Sequence, residues 1–218
     1  MFINIHTHKE SMEAKVELVS LESSQAKKPN LYSFGVHPWK IGNDVNEILE
    51  EMDVVCRNRR CLAIGECGLD KLIDIDFDLQ QKIFCEQIQI ANGFEKPLII
   101  HCVKAFNELM SCLKKMENKV PVIIHGYNNN KEIADQLLKN GYVLSFGKAL
   151  LTPDSNAAEV LKNVGRKNFF LETDDAKISI RDIYKKASEI LGIGEEILQE
   201  QLKNNYQHIF KEEILQYG

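Results

Sequence analysis

No apolar run in this chain approaches the roughly 20 residues that a helical membrane span requires. The six cysteines contain no CxxC pair, and tryptophan occurs once. Basic residues are not in excess: 27 Lys and Arg face 32 Asp and Glu, for a net charge of −5. A bulk cationic surface of the kind that coats nucleic acid is thereby excluded, although a local basic patch is not. The N-terminus has neither a basic leader nor a long apolar segment, so no secretory signal is expected. Scattered cysteines without an export signal point to free thiols in a reducing cytoplasm. Low-complexity segments, internal repeats and linkers are also missing. What remains is a chain of 218 residues, 44% hydrophobic and 27% charged. That balance describes a soluble globular protein, expected as one domain over residues 1–218.

Short β-branched or aromatic runs alternate with longer helical patterns, the mark of βα units and a parallel sheet. The expected strands are Phe2–His6, Lys15–Leu21, Leu31–Val36, Cys61–Glu66, Pro97–His101, Val120–His125, Tyr142–Phe146 and Asn168–Leu171. Helical patterns cover 43–57, 77–92, 104–117, 130–139, 154–164, 179–191 and 194–214. Gly141 is placed to end a helix in the left-handed conformation. Eight such strands predict an α/β fold, a TIM-like (β/α)8 barrel with its active site at the C-terminal strand ends. The eight residues separating His6 from the second strand are too few for a crossover helix. The Glu22–Asn30 link is also short. The barrel is therefore expected to be thinned or partly open near strands 1–3, with the first helix missing.

Five of the six histidines fall at or just beyond such strand ends. His6 and His8 close FINIHTH, His37 closes LYSFGVH, His101 closes PLIIH and His125 closes PVIIH. Glu66 ends CLAIGE and Asp174 follows NFFLET. Residues i and i+2 of a strand point to the same side, so His6 and His8 can bind one ion. Taken singly, each residue has an ordinary explanation. Strand histidines can be satisfied by hydrogen bonds, Glu66 can be solvated, and Asp174 or Asp175 can cap a helix. The coincidence of six of these, His6, His8, Glu66, His101, His125 and Asp174, at strand ends favours one shared site. Four imidazoles and two carboxylates suffice for two divalent ions, which would activate water and neutralise charge on a phosphoryl or carbonyl oxygen.

The ordered segments FINIHTH, YSFGVHPW, AIGECGLD, KPLIIHCVKAF, PVIIHGY, FLETDD and NNYQHIF resemble the TatD family of metal-dependent hydrolases, in the amidohydrolase superfamily. The resemblance covers nearly the whole chain. It implies a TIM-like barrel and a metal-dependent nuclease or phosphodiesterase. It puts His6, His8, Glu66 and Asp174 around one metal, and Glu66, His101 and His125 around the other. It makes Asp174 the residue that orients or deprotonates the attacking water, and His37 a substrate-side residue. The chain departs from the family pattern at Asn4, where Asp is common, and at Lys71, where Tyr is frequent. GYNNN replaces a serine-bearing loop.

The expected activity is hydrolysis of phosphodiester bonds, in DNA, by metal-activated water, with Asp174 and Glu66 as catalytic residues. A small-molecule or aminoacyl-RNA amidohydrolase or esterase on the same scaffold is the alternative, because fold alone does not select the chemistry. The cofactors are two divalent ions: histidine ligands favour Zn²⁺ or Mn²⁺, and phosphoryl transfer often uses Mg²⁺. Substrate contacts are expected from His37, Lys71, Lys104 and Tyr127. Lys9, Lys40, Lys71, Lys104, Lys131, Lys148 and Lys177 recur in the proposed loops as a local positive collar. Trp39 is read as covering the barrel edge in preference to stacking on a base. DNA is the expected partner, with no membrane and no obligatory protein partner.

Overall fold

A computed structural model describes residues 1–21 and 28–211. Most of the expected 22–30 link and the last residues of the expected 194–214 helix lie outside the described residues. In chain order the strands are β1 (Ile3–Thr7), β2 (Val16–Leu21), β3 (Leu31–Phe34), β4 (Cys61–Asp70), β5 (Leu98–Val103), β6 (Val122–Ile124), β7 (Val143–Phe146) and β8 (Phe169–Leu171). The helices are α1 (Val45–Cys56), α2 (Phe77–Phe94), α3 (Phe106–Lys115), α4 (Lys131–Lys139), α5 (Asn156–Asn163), α6 (Ile180–Leu191) and α7 (Glu195–Phe210). All eight expected strands and all seven expected helices are present. Residues 8–15, between β1 and β2, carry no helix, as their number requires. Gly141 adopts φ +79° just past α4. No described helix is long and apolar enough to cross a membrane.

The chain packs as two compact units, Val19–Ile124 and the pair of end segments Met1–Leu18 with His125–Gly218. Within the first, β3, β4, β5 and β6 pair in chain order, every pairing parallel. Within the second, β7 pairs parallel with β8, and Thr7 at the end of β1 bridges Asp174 in parallel. Eight strands with intervening helices and parallel pairing are the TIM-like (β/α)8 pattern.

In the Val19–Ile124 unit, apolar residues of α1 and α2 seal the strands, with Val36, Val45 and Ile83 packed together. Two buried glutamines on α2 align the strand ends. Gln87 Oε1 accepts the Val36 N–H at 2.7 Å, and its Nε2 donates to Val36 O at 3.1 Å. Gln80 Oε1 accepts the Asp70 N–H at 2.9 Å while its Nε2 donates to Asp70 O. Seven residues apart, they share the inward face of the helix and supply backbone groups that would otherwise be buried unpaired.

One expected boundary is corrected. Glu66 does not end its strand: β4 runs on to Asp70. The continuation depends on glycine. Gly65 and Gly68 have φ +146° and +141°, and a Cβ at either would overlap the β5 carbonyl oxygens of Ile99 and His101. Their absent side chains let β4 lie close against β5 past a register irregularity between Ile64 and Cys67.

In the unit of the two chain ends, Tyr184 of α6 clamps β1. Its hydroxyl accepts the Ile3 N–H at 3.0 Å and donates to Ile3 O at 3.1 Å. On α7 the buried rings of Tyr206 and Phe210 stack with centroids 4.9 Å apart.

Candidate metal-binding residues

In the unit of the chain ends, the FLETDD segment is latched onto β1 by backbone and side chain together. Asp174 N donates to His6 O at 3.0 Å and His8 N donates to Asp174 O at 3.2 Å. Asn4 completes the latch: its Nδ2 donates to Thr173 Oγ1 at 2.8 Å, and its Oδ1 accepts the Thr173 N–H at 3.0 Å. A carboxylate at position 4 would lack that donor. Asp174 takes the left-handed φ of +54°, which turns its side chain onto the two imidazoles. Asp174 Oδ1 lies 3.5 Å from His6 Nε2 and 3.4 Å from His8 Nε2. Ligand atoms of all three fall within 4.8 Å of one another. Burial pushes the Asp174 carboxyl up, but hydrogen bonds from His6 and His8 and the charge of His125 outweigh it and hold it well below the usual carboxylate range.

His125 packs against His6, with ring centroids 4.5 Å apart. Behind it stands Glu172, a residue the sequence reading passed over. It is fully buried, accepts the Gly126 N–H on Oε1 at 2.7 Å, and places that oxygen 3.4 Å from His125 Nδ1. Its Oε2 has no hydrogen-bond partner among the described residues. A carboxylate behind one ring nitrogen leaves the other nitrogen to face a ligand. The first acid after the apolar FFL run was the available signal, masked by the two aspartates that follow.

In the Val19–Ile124 unit, two imidazoles converge on one buried carboxylate. Glu66 Oε1 lies 3.1 Å from His37 Nε2 and 3.0 Å from His101 Nδ1. His37, Glu66 and His101 form the second group whose ligand atoms fall within 4.8 Å of one another. His37 is oriented by its own loop, since Nδ1 accepts the Trp39 N–H at 3.1 Å. Its other nitrogen is left to Glu66. Asp70, also unanticipated, sits on the far side of His101, with Oδ2 3.4 Å from His101 Nε2. Asp70 also accepts Trp39 Nε1–H at 2.7 Å and Leu72 N–H at 2.8 Å. Burial raises its pKa, but the bonds from Trp39, Leu72 and His101 together prevail and lower it. Imidazoles and carboxylates in this density are the donor set divalent ions take. Burial pushes the neighbouring thiols of Cys67 and Cys102 up, Cys102 to about 12, so neither is a thiolate at neutral pH. All six cysteines are free.

The remaining residues expected at the substrate are placed variously. Lys71 Nζ donates to Glu108 Oε1 at 2.6 Å and lies over the Phe77 ring. Lys148 is similarly tied to Asp175 at 2.9 Å. Lys104 is exposed, with a φ of +53°. Tyr127 is buried, and its hydroxyl donates to Asn130 O at 2.7 Å, bracing the loop into α4. Trp39 does not cover an edge by burial: it is 61% exposed.

The profile of the family described as TatD related DNase matches residues 2–211. The chain belongs to the TatD family. A Buchnera aphidicola relative named an uncharacterized metal-dependent hydrolase is 32% identical over 152 residues, 68% of this chain and 57% of that protein. The Escherichia coli YcfH protein, of the same description, is 25% identical over 201 residues, 83% of this chain and 73% of that one. This TatD-family chain thus spans under two thirds of the length of the Buchnera relative. The crystal structure of Escherichia coli YjjV, a TatD homolog, superposes with a TM-score of 0.81 at 20% identity, covering 91% of this chain and 87% of the other. That likeness is one of fold, and it agrees with the TIM-like (β/α)8 class.

Proposed function

We propose that this protein is a single-domain metal-dependent hydrolase that cleaves phosphodiester bonds in DNA by attack of water. The convergence of His6 and His8 on Asp174, and of His37 and His101 on Glu66, is the observation that carries the reading. Membership of a family described as TatD related DNase supports the substrate class. The residues assigned to hold two divalent ions, Zn²⁺, Mn²⁺ or Mg²⁺, are His6, His8, His125 and Asp174 in one unit and Glu66 and His101 in the other. Bound ions supply Lewis acidity toward a phosphoryl oxygen and a water of lowered pKa. Asp174, kept ionised at neutral pH, accepts a hydrogen bond from the attacking water and sets its direction. Glu172 holds the His125 ring, and Asp70 buttresses His101 from the side opposite Glu66. On the substrate side stand His37 and Lys104. Lys71 is engaged by Glu108, and Tyr127 serves the loop that carries Asn130. The free thiols suit a reducing cytoplasm.

The test strips the protein with chelator and restores Zn²⁺, Mn²⁺ or Mg²⁺ singly. Single-stranded DNA, duplex DNA, and ester and amide panels are then assayed side by side. DNA cleavage is expected to require added ion. Glu66→Ala and Asp174→Ala, with folding retained, should each lower it by at least about 100-fold. Undiminished cleavage by the chelated protein would contradict the reading, and turnover confined to esters or amides would reassign the substrate.

A further inference from the structure

The geometry points to Trp39 as a stacking platform for a nucleobase of the substrate strand. This inference rests on the nuclease reading and names what that site holds beyond the phosphate. Trp39 is the largest apolar side chain left in solvent among the described residues, at 61% exposed. Leaving an indole in water forgoes the burial that a tryptophan normally contributes. A residue in that position for want of packing would be free to turn, but Trp39 is not free. Its backbone N–H is bound by His37 Nδ1 at 3.1 Å, and its indole N–H by the buried Asp70 Oδ2 at 2.7 Å. The edge of the ring is therefore spent inside the protein while its area stays in solvent. Pro38, whose φ is constrained by its ring, precedes it in a 3₁₀ turn.

The neighbours specify the occupant. The indole meets His37 edge to face at 5.2 Å and lies 6.0 Å from the His101 ring. Both imidazoles bear on Glu66. A ligand with its reacting group at that carboxylate cluster thus has its next substituent over Trp39. In a nucleotide one sugar separates phosphate from base, and the base is a flat π surface. Every base has such a face, so the platform would tolerate any sequence. Rigidity also favours binding, because little side-chain freedom is lost when the base arrives.

Trp39 is the only tryptophan in the chain, so its emission reports the platform directly. The experiment titrates the full-length, ion-loaded protein with a tetrathymidylate whose phosphorothioate linkages slow cleavage. A parallel titration uses an abasic tetramer of equal charge. Saturable quenching by the first, and at least tenfold weaker binding of the second without quenching, are expected. With a labelled oligonucleotide read by anisotropy, Trp39→Ala should weaken binding on the order of tenfold, and Trp39→Phe should restore most of it. Circular dichroism checks that both variants fold. Equal binding and quenching by the abasic strand, or wild-type affinity in Trp39→Ala, would overturn the platform. Ion-dependent cleavage of unmodified DNA without base-dependent quenching would sink the platform alone. Quenching without any cleavage would sink the hydrolase reading and leave the platform standing.

Discussion

Asp70 shows how one buried carboxylate can serve several neighbours. Its two oxygens receive the Trp39 indole N–H, the Leu72 backbone N–H and the His101 ring. Those bonds more than offset its burial and lower its pKa. A carboxyl whose pKa is depressed on folding adds stability that is present above its unfolded value of about 3.9 and disappears as pH falls through the lower, folded value. Asp70→Asn should therefore destabilise the protein by roughly 1–3 kcal/mol at neutral pH, since one acceptor becomes a donor. The gap between variant and wild type should narrow below about pH 4. Urea midpoints measured from pH 2 to 7 check both the size and the sign. A gap that widens in acid would mean that Asp70 gains nothing from its partners. Asp174 has the same design, with His6 and His8 in place of the indole.

Among the elements, β4 is the most exacting. Glu66 reaches His37 and His101 because the strand carrying it lies unusually close to β5, with Gly68 paired opposite His101. Gly68→Ala meets two obstacles at once: a φ of +141° and the His101 carbonyl in the space a Cβ needs. The expected cost exceeds about 2 kcal/mol, read as a lower urea midpoint. Ion affinity should fall too, because His101 is displaced. A variant as stable as the wild type would show that the close approach is dispensable. This element also marks where sequence reasoning stopped. Its start at Cys61 followed from the apolar run, but its continuation through GECGLD did not. The run there loses its β-branched residues, and only the spatial partner explains the glycines. The helices α2, α4 and α6 matched their expected spans closely because apolar periodicity and N-caps are local signals. Asp70, Gln80, Gln87 and Glu172 were not legible as functional. A polar residue's burial depends on which backbone it meets, and that is a property of the fold. The histidines were legible because each terminates an apolar run, where the polar residue is conspicuous.

For the whole molecule, charge poses the central problem. On the proposed nuclease reading, a protein of net charge −5 has to neutralise phosphate locally. Two of the loop lysines expected to do so, Lys71 and Lys148, are held by Glu108 and Asp175. Glu172 and Asp174 in one unit, and Glu66 and Asp70 in the other, add negative charge beside the histidines assigned to hold ions. Cations held by these residues would resolve the conflict, replacing repulsion with attraction. The account therefore stands or falls on ion binding. The direct measurement is elemental analysis of the protein after equilibrium dialysis against Mn²⁺ or Zn²⁺. The account predicts about two ions per chain in the wild type, with fewer retained by Glu66→Ala and by Asp174→Ala. Protein that leaves the dialysis with no more metal than the surrounding buffer would contradict it.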